Sequence, residues 1–200
     1  MVDVAKVRMF GQNIGTFVWD DSYRVARFEY DNDFVGKGIE PSPIMMPVQQ
    51  GRIYSFGSLN WDTFNGLPGM LADSLPDTYG RALFDQWLIL TGRTTSNPVE
   101  SLCFLGQRCM GALEFEPATG PSSDANIKFE IDTLIDVARE ALSKKKDFGV
   151  NLDVDRKAAI AEILRLGTSA GGQRAKAIIA YNKTTGVFRS GPISATEGFA

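Results

Sequence analysis

Hydrophobic alternation over the first thirty residues constrains the fold more than any other stretch of the chain. Val2, Val4, Val7 and Met9 lead into Gly11-Gln12-Asn13, and Ile14, Phe17 and Trp19 follow. Asp20-Asp21-Ser22 then interrupts, and Tyr23, Val25, Phe28 and Tyr30 complete a third run. Successive strand side chains point to opposite faces, so β-branched and aromatic residues at this spacing describe strands with one buried face. Three such runs divided by two short turn clusters predict an antiparallel meander.

Downstream the periodicity changes. The segment from Asp31 to Pro47 collects Gly36, Gly38, Pro41, Pro43 and Pro47, and predicts an irregular crossing. Arg52 to Phe56 reads as a short strand. Helices are predicted over Trp61 to Ala72 and Asp77 to Leu90. Leu75-Pro76-Asp77 is a stop-and-start signal between them, with the Asp77 carboxylate able to accept from the first free amides. Tyr79, Leu83, Trp87 and Leu90 share one face at three- and four-residue steps, and Gly92 ends the helix. Asn97-Pro98 opens a short helix through Leu105, and Gly111 to Phe115 reads as a strand. Beyond the polar connection Pro117 to Asn126, an amphipathic helix carries Ile131, Leu134, Ile135, Ala138 and Leu142. Lys144-Lys145-Lys146 at its end suits the helix dipole. A further helix spans about Asp153 to Leu166, and a hairpin joins Ala175–Tyr181 to Val187–Ser190. The fold class is α+β: an antiparallel β meander with packed helices. A boundary near 117–126 divides a part over 1–117 from a smaller one over 126–200.

Composition narrows the chemistry. With 200 residues, 44% of them hydrophobic and 22% charged, the chain can bury a core and is neither disordered nor fibrous. Twenty-one basic against 24 acidic residues give a formal charge of -3, which argues against nucleic-acid binding by bulk charge. No histidine occurs. That excludes Ser-His-Asp and Cys-His nucleophiles, histidine metal ligation and a histidine proton shuttle within these residues. Cys103 and Cys109 match no metal-knuckle or redox spacing, and read as small buried side chains in a reducing compartment. No apolar signal core opens the chain and no apolar run reaches membrane-spanning length, so a cytoplasmic location without membrane contact is expected.

The segment Gly167-Thr168-Ser169-Ala170-Gly171-Gly172-Gln173-Arg174-Ala175-Lys176 carries the chemistry most open to function. Three glycines free the backbone to expose consecutive N–H groups, and Arg174 and Lys176 add charge, which together can hold an anion. It is not a P-loop, because Gln173 stands where the Lys is required. A phosphate loop and a plain helix-ending loop both fit this composition. Asp147-Phe148-Gly149 spells a kinase metal-binding triplet, but it precedes the Gly-rich loop and no HRD-like triplet accompanies it, so it reads as a helix stop. The pairs Asp73 with Asp77 and Asp132 with Asp136 define no general acid–base site, and no metal-ligating set is found.

Three stretches together resemble the HipA family of serine/threonine kinases, the toxin half of type II toxin–antitoxin modules. The first runs from Phe64-Asn65-Gly66-Leu67-Pro68 through Asp73-Ser74-Leu75-Pro76-Asp77 to Tyr79-Gly80-Arg81. The second is Leu102 to Glu116, with Gly106 and Gly111-Ala112-Leu113, and the third is the 167–176 loop. The resemblance covers essentially the whole chain and implies a β-rich amino-terminal subdomain followed by the beginning of a kinase ATP-binding lobe.

In that family the loop lies over the ATP phosphates. The implied nucleotide-binding positions are Ser169, Ala170, Gly171, Gly172, Gln173, Arg174 and Lys176, with Ser169 the autophosphorylation candidate. Gln173 and Ala175 depart from the commonest loop version. Glu197-Gly198-Phe199-Ala200 resembles the run just before the family's nucleotide-contacting Lys, so its catalytic and metal-binding aspartates are expected further along. The complete enzyme would use ATP and Mg²⁺ to phosphorylate a Ser or Thr of a protein, a translation-related one in the family's manner; these residues alone would be inactive. Implied partners are a small HipB-like helix-turn-helix antitoxin, with DNA reached only through it. A stand-alone module that neutralises a separate kinase is the other functional class the resemblance admits, and a structural protein with an incidental loop is a third.

Overall fold

A computed structural model describes residues 1–109, 111–120, 179–181, 183–184 and 188–190. The chain divides into two compact units, Met1–Leu75 with Ser96–Thr119, and Pro76–Thr95 with Gly120–Ala200.

The first unit is built on the meander. β1 (Val4–Met9), β2 (Gln12–Asp20) and β3 (Val25–Tyr30) pair in sequence, antiparallel. β4 (Ile53–Tyr54) joins beyond β3, and β5 (Leu113–Glu116) beyond β1, giving the order β4-β3-β2-β1-β5. Both turns fall slightly away from the expected clusters. Phe10 and Gly11 are the two turn residues of the first hairpin, at φ 50° and 75°, while Gln12 and Asn13 belong to β2. A two-residue turn with both central residues left-handed matches the strand twist, which is why the chain reverses there. Tyr23, expected within a strand, lies in the second turn and is exposed. Asp20 pairs with Val25, so the turn spans the four residues between them.

One sheet face is buried. Phe17, Phe28, Tyr30 and Phe115 are sealed from solvent, with Phe28 edge-on to Tyr30 at 4.8 Å and Phe17 edge-on to Phe115 at 5.9 Å. The register places Phe17 opposite Phe28 and Val7 opposite Phe115, so the buried set continues across four strands. Gly15 sits beneath the Phe28 ring, where any Cβ would overlap the ring and the Glu29 carbonyl. The irregular crossing after β3 is as expected. It is tied down by the Tyr30 hydroxyl donating to the Met46 carbonyl at 2.8 Å and by the Tyr54 hydroxyl donating to the Pro47 carbonyl.

The helical cover differs from expectation at one place. Instead of one helix from Trp61 to Ala72, two single turns form, α1 (Trp61–Phe64) and α2 (Gly69–Ala72). α4 (Pro98–Leu105) forms as expected, packs on β1, β2 and β5, and continues into a 3-10 turn at Gly106–Arg108.

In the second unit, α3 (Thr78–Leu90) forms close to its expected bounds. Its buried residues are Tyr79, Gly80, Leu83, Phe84 and Leu88, with Trp87 half-buried, so the apolar face is turned toward Phe84 and Leu88 relative to the expected stripe. The expected hairpin is present: β6 (Ile179–Tyr181) pairs antiparallel with β7 (Phe188–Ser190). No helix among the described residues is long and apolar enough to cross a membrane.

Candidate functional site

Ser169, Ala170, Gly171, Gly172, Gln173, Arg174 and Lys176 lie outside the described residues, as do Asp147-Phe148-Gly149 and the helices expected over 131–142 and 153–166. The other two motif segments are described, and each has a local physical function.

The segment beginning at Phe64 closes the end of the β2–β3 hairpin. The Asn60 side chain caps α1, accepting from the Thr63 amide at 3.0 Å, and Asn65 then turns left-handed at φ 50°. Gly66 follows at φ 74°, and its carbonyl accepts from the Ala26 amide of β3 at 2.8 Å. The backbones approach so closely that a Cβ on Gly66 would overlap the Arg24 carbonyl. Arg24 is itself left-handed, at φ 52°, and its guanidinium stacks 4.1 Å from the Trp61 ring centre. Trp19 lies 6.3 Å from Trp61 and donates its Nε1–H to Asp21 at 3.3 Å. Leu67 and Leu71 are fully buried below this fastening. At the far end of the motif Asp77 accepts from the Gly80 amide at 2.8 Å, so its carboxylate serves as the cap of α3.

The segment from Leu102 to Glu116 is built around the C-terminal end of α4. Arg108 is 5% exposed; its Nε donates to the Leu105 carbonyl at 3.3 Å, its Nη2 to the Phe104 carbonyl, and its guanidinium lies over the Phe104 ring. A cation there meets the negative end of the helix dipole and satisfies carbonyls that have no partner within the helix. Burial lowers the Arg108 pKa to about 10, so it remains charged at neutral pH. Gly106, at φ 56°, allows the chain to pass Ala118, which a Cβ would strike. At the other end of α4, Asn97 accepts from the Glu100 amide at 2.9 Å and donates to the Val2 carbonyl at 3.0 Å and the Asp3 carboxylate at 2.7 Å.

Cys103 and Cys109 are free and buried, as expected. Burial pushes both thiols up to about 12, so they are protonated at neutral pH and are not nucleophiles. The Tyr79 hydroxyl is also raised to about 12, again chiefly by burial. Among the described residues no group of three or more His, Cys, Asp or Glu side chains is placed to hold a metal ion. Here the charged and polar groups fasten loops and helix ends. Arg24, Trp61 and Arg108 were not singled out by sequence reasoning: a surface arginine and one destined for a helix end look alike until the helix end is located. The Asn97-Pro98 pair did announce a cap, but not the hold on β1.

A family model described as the HipA N-terminal domain matches residues 5–116. The match starts at the second residue of β1 and ends on the last residue of β5, so it takes in all of the five-stranded sheet but Val4, the α4 cover and both described motif segments. No curated protein and no solved structure matches the chain. Because the family match covers more than half of the 200 residues, and because the five-stranded sheet and its fastenings lie within it, the chain belongs to the HipA N-terminal domain family.

Proposed function

We propose that this chain is the amino-terminal portion of a HipA-like protein serine/threonine kinase of the toxin–antitoxin type. The supporting observation is the family match over residues 5–116, which reaches all five strands of the sheet. On this reading residues 1–117 form the partner- and substrate-facing subdomain, and residues 126–200 begin the ATP-binding lobe. The make-up of 167–176 fits a nucleotide phosphate: three glycines leave amides open to an anion, and Arg174 and Lys176 supply two cations. Bound ATP would supply the transferred γ-phosphoryl group, with Mg²⁺ held by residues beyond those named here. Phosphorylation of Ser169 would add about −1.5 to −2 charges within an anion site and so oppose further nucleotide binding. Partners on this reading are a helix-turn-helix antitoxin, which carries any DNA contact, and a protein substrate.

The test is a titration of the purified chain with a fluorescent ATP analogue. Saturable binding that Arg174→Ala weakens about tenfold is expected, from loss of one charge-assisted contact to phosphate. A chain that binds no nucleotide removes the assignment of 167–176. A chain that instead binds a separate HipA-like kinase and suppresses its phosphoryl transfer establishes the neutralising module in place of the kinase.

A further inference from the structure

We infer that Asn65 is a self-modifying site: it loses its side-chain amide to attack by the Gly66 backbone nitrogen, and the fold holds that reaction off until the Gly66 fastening opens. Asn65 is the only asparagine in the chain that is followed by glycine. The chemistry is internal to the pair. The Gly66 nitrogen attacks Asn65 Cγ and a C–N bond forms. The Cγ–Nδ2 bond breaks, and ammonia leaves with the Gly66 amide proton. The resulting succinimide then takes up one water. Opening at Cγ gives aspartate, and opening at the main-chain carbonyl gives isoaspartate, in which the backbone runs through the side chain. Glycine hinders the attacking nitrogen least, because it has no Cβ.

The same two residues suit the turn they build. Asn65 lies at φ 50° and ψ 33°, and Gly66 at φ 74°. Asparagine and glycine are the residue types that adopt a left-handed backbone at least cost. That conformation also blocks the reaction. Ring closure requires the Gly66 nitrogen and Asn65 Cβ on the same side of the Cα–C bond. At ψ 33° the nitrogen stands nearly anti to Cβ, close to half a turn from where the ring closes.

The surrounding bonds hold it there. The Asn65 amide donates to the Trp61 carbonyl and the Leu67 amide to the Phe64 carbonyl, both at 2.8 Å, and the Gly66 carbonyl accepts from the Ala26 amide at 2.8 Å. Leu67 is sealed from solvent, and the Trp61 ring stands where a Cβ on Gly66 would reach. Turning Asn65 about ψ carries Gly66 and Leu67 with it. The bonds to Phe64 and Ala26 must then break, and Leu67 must leave the core. The reaction therefore proceeds from the opened state, at a rate scaled by that state's population. Its product keeps the turn open. Isoaspartate adds one backbone atom between residue 65 and the Gly66 nitrogen, in a place where even a Cβ finds no room. Loss of ammonia is one-way, so the modified fraction records the time the chain has spent open. None of this depends on the kinase reading.

The test is mass spectrometry of the peptide carrying residue 65, from the full chain aged in heavy-oxygen water at pH 8, with isoaspartate counted by enzymatic methylation. Amide loss in native buffer should be at least about a hundredfold slower than in guanidinium chloride. Trp61→Ala, which removes the ring against Gly66, should speed the reaction of the folded chain about tenfold and leave the unfolded rate unchanged. Asn60→Ala, which removes only the cap of α1, should speed it about fivefold, and decides the matter if Trp61→Ala does not fold. Isoaspartyl chains formed in guanidinium chloride and returned to native buffer should be cut by protease at least about tenfold faster than folded Asn65→Asp. An unfolded chain that keeps its amide at residue 65 overturns the site. A folded rate within about threefold of the unfolded one overturns the gate, as do folded Trp61→Ala and Asn60→Ala chains that react at the wild-type rate. Equal protease resistance of the isoaspartyl and Asn65→Asp chains overturns the lasting opening.

Discussion

Residues 61–72 and 78–90 carry similar amounts of apolar side chain, yet one forms two separate turns and the other a thirteen-residue helix. Helix propagation needs right-handed dihedrals and an amide donor at each step. In the first region Asn65 and Gly66 are both left-handed and Pro68 has no amide hydrogen, so the helix stops after one turn. The freed Gly66 carbonyl then takes the Ala26 amide from the sheet. In the second region Asp77 caps the start, and at the far end the Gly92 amide reaches the Ile89 carbonyl while the Arg93 amide reaches that of Leu88. That pair of bonds is a Schellman ending, with Gly92 at φ 74°. Apolar spacing proposes a helix; the punctuation within it decides whether one forms.

The comparison can be broken most severely at Gly66. Gly66→Ala meets both a left-handed backbone and the Arg24 carbonyl, and should lower stability by more than about 3 kcal/mol in urea unfolding. Trp19 and Trp61 report on the first unit, and replacing Trp87 with Phe isolates their signal. A loss below about 1 kcal/mol would mean the two backbones can separate freely.

Helix caps sharpen the contrast. Asn97 and Asp77 perform the same capping chemistry, and Asn97 is also bonded to Val2 and Asp3 just ahead of β1. Asn97→Ala should cost about 2–3 kcal/mol, more than the roughly 1 kcal/mol of a capping bond alone. A loss of only about 1 kcal/mol would show that the hold on Val2 and Asp3 contributes nothing.

Between those two effects lies a pH dependence. Folding raises both thiols from their ordinary value of 9 to about 12. From pH 9 to 10 the unfolded chain loses thiol protons that the folded chain keeps, so stability falls as pH rises and is fully present below 9. The slope approaches at most about 1.4 kcal/mol per thiol per pH unit. Arg108, lowered to about 10, begins to lose its proton at the top of this window while the unfolded chain keeps it, which offsets part of the decline there. Urea unfolding at pH 8, 9 and 10 should show the decline, and Cys103→Ala with Cys109→Ala should remove most of it between 8 and 9, leaving the part that begins near 10 from the raised Tyr79 hydroxyl. The smallest effect belongs to the exposed Arg81–Asp85 pair on α3, where Arg81→Gln should change stability by no more than about 0.5 kcal/mol.

The meander was legible because alternation is a local signal with a fixed physical period, and the caps at Asp77 and Asn97 because they act within three residues. The turn at Phe10-Gly11 was misplaced by a residue or two. An aromatic residue with positive φ is rare enough that Gly11-Gln12-Asn13 was the more natural place to reverse. Of the stripe expected on α3, Tyr79 and Leu83 are buried and Trp87 half-buried; that Phe84 and Leu88 are covered as well is not legible, because spacing alone does not say which adjacent stripe the fold also covers. The broken helix had its signal in Asn65-Gly66 and Pro68, outweighed by the apolar residues around them. Of the site, the two described motif segments were recognisable as words, but their mechanical roles were not.

What the sequence determined by itself is what short-range physics controls: three strands in order, helix starts at Asp77 and Asn97, and buried thiols among apolar neighbours. The absence of histidine set equally firm limits on the chemistry. What only the tertiary structure decided depends on partners distant along the chain. β5 reaches the edge of β1 from more than a hundred residues away, Gly66 lodges against Arg24, and Asn97 ties α4 to the first strand. Burial then raised the thiols and lowered Arg108, because desolvation acts on a side chain only once the rest of the fold has closed around it.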